Sequence, residues 1–514
     1  LSGILLLLSY PPFNFGYILA WIALVPLLIA VHNEKNMRRI GRLTSITGLC
    51  IAPLFVFMYN EFDYFLPTTI AWILGIMAAV AIGNFIIWYV KDYWKPHNLP
   101  REKLQYLPSP LQILIIPILG TAAEFLAMNL PVVMKVGGAL GFFSLSRTQW
   151  LNTPILQLTS ITGMYGITFL VLLVNSAIAY LLINYKETKS ISKQVVVMVL
   201  IFGVIFTWGW GLIPEYTEGD VTVVIIQAKP QVMEKEHINE LYLNLTECSL
   251  KYEPEIILWP PWVAYEPVEN VGPFAAGHSE FAEENNLYLI DVQNVVYPDG
   301  LIEHYDTLYH FRNIFDGLHP IDFNKIFPEI HSFGTRFGKL GILLCMESAS
   351  TIPAKKLVED GAQFIVVTSA DRPVIGSFQG LIGGNVVYRA VEHRMYTALF
   401  YGFGDSIIVD PYGRIIEDVA SEQEIVAGKI SFTDERTFYS SHGDLFGYTI
   451  LGLVIMLITC NFFLERKSDF KYCLNCRAKI KKDVEICDRC GKKQEKRPLW
   501  KRILLHEYYE HIKK

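Results

Sequence analysis

The residue best placed to do chemistry is a single cysteine in Lys339-Leu-Gly-Ile-Leu-Leu-Cys345-Met-Glu347-Ser348. An apolar run of strand length, Gly341 to Leu344, delivers it to a carboxyl end. A thiolate is intrinsically nucleophilic and needs only a base or positive neighbours to form. The plainer alternative is a buried structural thiol, since unpaired cysteines are among the most buried residues. A second constellation lies in the tail, where Cys473-Leu-Asn-Cys476 and Cys487-Asp-Arg-Cys490 are separated by ten residues. Two such pairs suit a tetrahedral site in which four thiolates hold a structural zinc ion. Two disulfides would conflict with a reducing compartment. Cys50, Cys248 and Cys460 have no ligand spacing and read as packing residues.

Particular elements must position the first cysteine. After the strand, Ser350, Thr351 and Pro353 open a helix carrying Leu357 and Val358. A second strand follows at Phe364-Ile-Val-Val367. This is a βαβ pattern, in which open sheets place ligands at the carboxyl ends of strands. Strands are also expected at 222–227, 255–259, 287–292, 307–311, 397–401, 406–409 and 425–430, with an amphipathic helix at 232–251. Asp410-Pro-Tyr-Gly413 is a turn in the last hairpin. On a helix at 388–394, Arg389 and Glu392 are three apart on one face and pair to support it. Residues 215–440 therefore form a mixed α/β domain.

The remainder of the chain belongs to a bilayer. Of its 514 residues 52% are hydrophobic and only 18% charged, an excess that a soluble domain rarely carries. Apolar stretches at about 1–10, 16–31, 44–59, 67–90, 109–134, 154–184, 194–213 and 444–464 amount to about eight spans. The chain begins at Leu1 with no charged leader, which reads as a truncated start and not as a signal peptide. Glu124, inside the fifth stretch, is expected either to snorkel or to line a cleft. Alternate loops are basic: Lys35, Arg38, Arg39 and Arg42; Lys91, Lys95, Arg101 and Lys103; Lys186, Lys189 and Lys193. By the positive-inside rule these face the cytoplasm, which places 215–440 outside the cell and the lysine-rich tail inside. Four parts follow: membrane helices at 1–214, the extracytoplasmic domain at 215–440, a last membrane helix at 441–466, and a cytoplasmic zinc ribbon at 467–514. Nothing points to nucleic acid.

With these residues assembled, the chain resembles the apolipoprotein N-acyltransferases, membrane members of the carbon–nitrogen hydrolase (nitrilase) superfamily. The resemblance rests on Pro11-Pro-Phe-Asn-Phe15 with Val25-Pro-Leu27, on Leu258-Trp-Pro260, on Phe337 to Ser348, on Arg389-Ala-Val-Glu392 and on Asp410-Pro-Tyr-Gly413. It covers about residues 1–465 and excludes the tail. It implies an integral-membrane helical bundle carrying a nitrilase-like αββα sandwich in the cell membrane. It also implies a glutamate–lysine–cysteine triad that needs no cofactor. In that chemistry the cysteine takes an acyl chain from a phospholipid as a thioester. It then hands the chain to the N-terminal amine of a lipoprotein, with membrane lipid as the medium.

Carried over residue by residue, Cys345 is the nucleophile and Glu347 matches the glutamate two positions after it. Lys325, in Phe323-Asn-Lys325, matches the oxyanion-stabilising lysine, with Lys339 as the poorer alternative. The family's tryptophan–proline–glutamate is here Trp259-Pro260-Pro261, and proline cannot move a proton. Glu266 in the same loop, or Glu329, is the candidate replacement base. Two other readings stay open: a membrane-anchored amidase of the nitrilase type, and a catalytically impaired relative that binds lipid or lipoprotein.

Overall fold

The computed structural model describes residues 1–11, 13, 16–34, 37–50, 109–129, 144–188, 193–227, 244–259, 273–290, 294–304, 330–369, 379–401, 406–418, 425–467, 470–472, 479–481 and 484–493. The chain divides into two compact units, Leu1–Leu451 and Gly452–Lys514.

Among the described residues, β-branched and aliphatic residues build two sheets of six strands each. The first contains β1 (Val221–Ile226), β2 (Ile256–Leu258), β3 (Tyr288–Ile290), β4 (Asn294–Val296), β5 (Ile302–His304) and β12 (Ile425–Ile430), ordered β12-β1-β2-β3-β4-β5. The second contains β6 (Phe333–Thr335), β7 (Gly338–Leu344), β8 (Phe364–Ser369), β9 (Tyr396–Tyr401), β10 (Ile407–Val409) and β11 (Ile415–Asp418), ordered β11-β10-β9-β8-β7-β6. β1–β2–β3 and β7–β8–β9 run parallel, and the flanking pairs are antiparallel.

Side chains alternate across a strand, so each sheet must bury two faces. Leu340, Ile342 and Leu344 of β7 point with Phe364 and Val366 of β8 into a core shared with Val224, Ile257 and Leu289 of the first sheet. Their neighbours Leu343, Ile365 and Val367 belong to a second core. That core holds Leu357 of α8 (Thr351–Glu359) and Val387 of α9 (Gln379–His393), together with Ile155, Met164 and Val171 from before the domain. On the opposite side α7 (Pro273–Asn285) packs on β3 and β4. The result is the expected αββα sandwich, with one helical layer merged into the membrane part.

That part contains α1 (Ser2–Ser9), α2 (Val25–Asn33), α3 (Met37–Leu49), α4 (Ser109–Met128), α5 (Met164–Thr188) and α6 (Lys193–Leu212). After the sandwich come α10 (Phe438–His442) and α11 (Leu445–Lys467). Among the described residues two helical segments are long and apolar enough to cross a bilayer: Gly16–Asn33, of 18 residues, and Met164–Ile183, of 20 residues. Shorter apolar helices occur at Ile113–Met128, Val196–Leu212 and Leu445–Leu457. The stretch at 67–90 and most of 44–59 lie outside the described residues. Backbone groups in hydrocarbon must be satisfied internally. Asn175 of α5 does this for the irregular segment before α2: its amide donates to the Ala20 carbonyl and its oxygen accepts from Leu24 N–H, each at 2.8 Å.

Several expectations need correction. The apolar stretch at 154–184 is not one helix: short turns at Thr153–Leu156 and Thr159–Thr162 precede α5. Gly163 separates them at φ +62°, a conformation that favours glycine. A Cβ there would also lie 2.4 Å from the Tyr439 ring. Arg38, Arg39 and Arg42 belong to α3 and not to a loop. Glu124 does not snorkel; its carboxylate accepts from Ser144 Oγ (2.7 Å), Leu145 N–H (3.0 Å) and Thr168 Oγ1 (2.6 Å). Those bonds join α4 to α5 and to the turn between them. Cys248 is exposed and does not serve packing. Strands β4, β5, β6 and β11 were not anticipated, whereas 307–311 and most of 232–251 lie outside the described residues.

Candidate active site

β7 ends at Leu344, and Cys345 opens a 3₁₀ turn, Cys345–Ala349, at the carboxyl edge of the second sheet. The expected βαβ unit follows: Ser350 caps α8 by accepting from Ile352 N–H at 3.4 Å, and β8 returns parallel to β7. Glu347 folds back so that Leu344 N–H donates to its Oε2 at 2.9 Å. Nearly all of its surface is removed from water, and this burial pushes its carboxyl up to about 7. A carboxyl poised there can hold or release a proton near neutral pH.

α9 lies over this turn. Asn385 Nδ2 donates to Ser348 Oγ at 3.2 Å, and one turn later Arg389 Nη1 donates to the Ser350 carbonyl at 3.1 Å. Arg389 Nη2 also pairs with Glu392 Oε2 at 2.6 Å, with both side chains fully buried, so the pairing expected from their spacing is present. Burial pushes the Glu392 carboxyl up to about 7 against the pull of Arg389. From the other side, Tyr388 donates its hydroxyl to the Ser146 carbonyl, and Arg147 lies 4.6 Å over the Tyr388 ring while donating to the Gly384 carbonyl at 3.3 Å.

Asn385, Tyr388, Ser146, Arg147 and Ser348 were not singled out from sequence. A signal was available: Asn385, Tyr388, Arg389 and Glu392 fall at i, i+3, i+4 and i+7, a polar stripe on a largely apolar helix.

Of the expected site residues, the structure describes the backbone of Cys345 and all of Glu347, two residues apart on one turn. Lys325, Glu266, Glu329 and Pro261 lie outside the described residues. Trp259, which precedes the two prolines, is buried at the end of β2. The alternative lysine is misplaced. Lys339 Nζ donates to the Asp360 carbonyl at 2.7 Å, six residues back along β7 from Cys345 and so about 20 Å away. Asp410 organises its turn as expected, accepting from Tyr412 N–H (3.0 Å) and from Arg414 N–H (2.8 Å) and Nε (2.6 Å). Arg414 Nη1 in turn donates to the Pro214 carbonyl at 2.7 Å, tying the end of the membrane part to the sandwich.

In the tail unit, β13 (Phe470–Tyr472) pairs antiparallel with β14 (Lys479–Lys481). The second cysteine pair lies on a described turn. Ile486 bridges Lys493, Cys487 N–H donates to the Lys492 carbonyl (3.0 Å), and Gly491 N–H donates to the Cys487 carbonyl (2.8 Å) with Gly491 at φ +69°. Such a knuckle carries two thiols on one tight turn, a donor set that fits zinc. Cys473 and Cys476 themselves lie outside the described residues.

Residues 2–177 match the family model described as the apolipoprotein N-acyltransferase N-terminal domain. The chain is 23% identical to the apolipoprotein N-acyltransferase of Geobacter metallireducens, over 91% of this chain and 95% of that one. It is 24% identical to that of Thermotoga maritima, over 91% and 93%. Among solved structures, a carbon–nitrogen hydrolase from Helicobacter pylori is 16% identical over 41% of this chain and 89% of its own, at TM-score 0.34. The chain is therefore similar to apolipoprotein N-acyltransferases along about nine-tenths of its length.

Proposed function

We propose that this membrane enzyme moves a fatty acyl chain from phospholipid, through a thioester on Cys345, to the N-terminal amine of a lipoprotein. The observation that carries the reading is the position of Cys345 at the carboxyl end of a parallel strand, with the buried Glu347 two residues later on the same turn. In the first half-reaction the Cys345 sulfur attacks the ester carbonyl. The carbon–sulfur bond forms, the ester carbon–oxygen bond breaks, and lysophospholipid leaves with the thiol proton. In the second, the amine attacks the thioester, the amide forms, and the thiol is restored with a proton from the amine. Dividing one difficult acyl transfer in this way lowers each barrier.

Lys325 is the proposed oxyanion partner. Glu266 is the proposed base, because Pro261 stands where the family has glutamate. Glu347 is the proposed buried carboxyl that orders the nucleophile's turn. About eight spans carry the sandwich on the extracytoplasmic face, and the tail is a cytoplasmic ribbon holding one zinc ion through Cys473, Cys476, Cys487 and Cys490. No cofactor is assigned to the transfer itself. The alternation of basic segments between the apolar stretches supports this sidedness, and the merger of the sandwich's helical layer with α5 supports delivery of both lipid substrates from the bilayer.

Incubation with phospholipid should leave an acyl group on the protein that neutral hydroxylamine releases, and Cys345→Ser should abolish it. A wild-type protein that forms no such adduct with any ester lipid would favour the lipid-binding reading that Pro261 suggests.

A further inference from the structure

A buried polar chain runs from the membrane part to the nucleophile's turn. At one end is the first residue of α5, whose N–H is one of the donors a helix start leaves without an intrahelical partner. Met164 N–H donates to Glu392 Oε1 at 3.1 Å, across 228 residues of sequence. The other carboxylate oxygen of Glu392 is 2.6 Å from Arg389 Nη2. Arg389 Nη1 reaches the carbonyl of Ser350, and Ser350 N–H donates to the Glu347 carbonyl at 3.2 Å. Four links thus connect a membrane helix to the turn that begins at Cys345.

The neighbours make this chain stiff. Thr437 donates its hydroxyl to the Glu392 carbonyl, and His393 meets Ser440 at 3.2 Å, so the segment leading into α11 holds the same end of α9. Gly163 abuts the Tyr439 ring and gives the start of α5 little room to shift. Besides Arg389, the charged groups facing the Glu392 carboxylate are Asp444 and Arg147.

We infer that Arg389 and Glu392 are positioning residues, which set the nucleophile's turn in register with the start of α5 so that the thiol meets a lipid ester presented from the membrane. A helix supported only for its own sake would need neither the bond to Ser350 nor the bond to Met164. Guanidinium geometry suits the role, because one planar fork can hold a carboxylate and a carbonyl at once whereas an ammonium is a point charge.

The inference rests on Cys345 being the acyl carrier, and the test separates the two. Arg389→Met with Glu392→Gln leaves an acceptor for Met164 N–H and no unpaired buried charge, so the fold should persist. The full-length variant is checked by circular dichroism and thermal melting. Two rates are then measured well below the melting temperature: hydroxylamine-labile acylation by phospholipid, and alkylation of the Cys345 peptide by iodoacetamide. Misplacement by about 1 Å can cost ~10² in rate, so both should fall by ~10-fold or more, with little change in KM for phospholipid. Arg389→Lys should lose several-fold and covers the case in which the double variant fails to fold. Wild-type rates in a folded variant would overturn the inference. If the wild type never acylates but its alkylation outpaces the variant's, the strut stands and the acyl-carrier reading fails.

Discussion

Asn385 and Ser348 meet at 3.2 Å, side chain to side chain, in the buried seam between α9 and the turn that starts at Cys345. Through this contact a helix C-terminal to Cys345 in sequence holds the turn's conformation, because both groups are shielded from water.

Removing it should be measurable. Asn385→Leu deletes the donor and should lower stability by about 1 kcal/mol. With Ser348→Ala in the same chain the two losses should fall short of additivity, by about 0.5 kcal/mol or more. Denaturant or thermal melts of the four proteins test this; strict additivity would mean the contact contributes nothing.

The raised carboxyl of Glu347 makes a prediction about pH. Its folded pKa, about 7, exceeds the ordinary glutamate value of 4.5, so the folded state holds its proton more tightly than the unfolded state. Its contribution to stability is therefore fully present below pH 4.5 and is lost as pH rises from 4.5 through about 7. Glu347→Gln should flatten that part of the stability profile. An unchanged slope between pH 5 and 7.5 would mean that the group is not held as its burial demands.

The missing base can be probed in both directions. If Glu266 replaces it, Glu266→Gln should slow acyl-enzyme formation by ~10² or more. If the site retains the family's geometry without its base, Pro261→Glu should accelerate acylation. Single-turnover acylation rates distinguish these, and a chain indifferent to both changes would need its base elsewhere.

Purified protein should contain about one zinc ion per chain, because four thiolates complete one tetrahedral site. Cys473→Ser with Cys476→Ser should release it without altering acylation by phospholipid. Metal analysis with unchanged zinc in the double variant would rule out this assignment.

How much was legible beforehand follows from the range of the interactions. The strand Gly341–Leu344, its turn, the Ser350 cap and the return strand at Phe364 were readable because periodicity and capping act over a few residues. The Arg389–Glu392 pair and the Asp410 turn were readable for the same reason, since each partner lies within four residues. Strands of three residues, such as Asn294–Val296 and Phe333–Thr335, were not, because so short a run has no period and is strand only by virtue of its sheet neighbours. Nor was the break at Gly163 inside an apolar stretch, since composition alone does not register a left-handed residue. What only the tertiary structure decided is the company kept by α9: Tyr388 with Ser146 across 242 residues, and Glu392 with Met164 across 228. Sequence determined that these side chains share one helix face. Which backbone groups they satisfy depended on the membrane part folding against the sandwich, because a buried polar group takes the partner that packing brings to it.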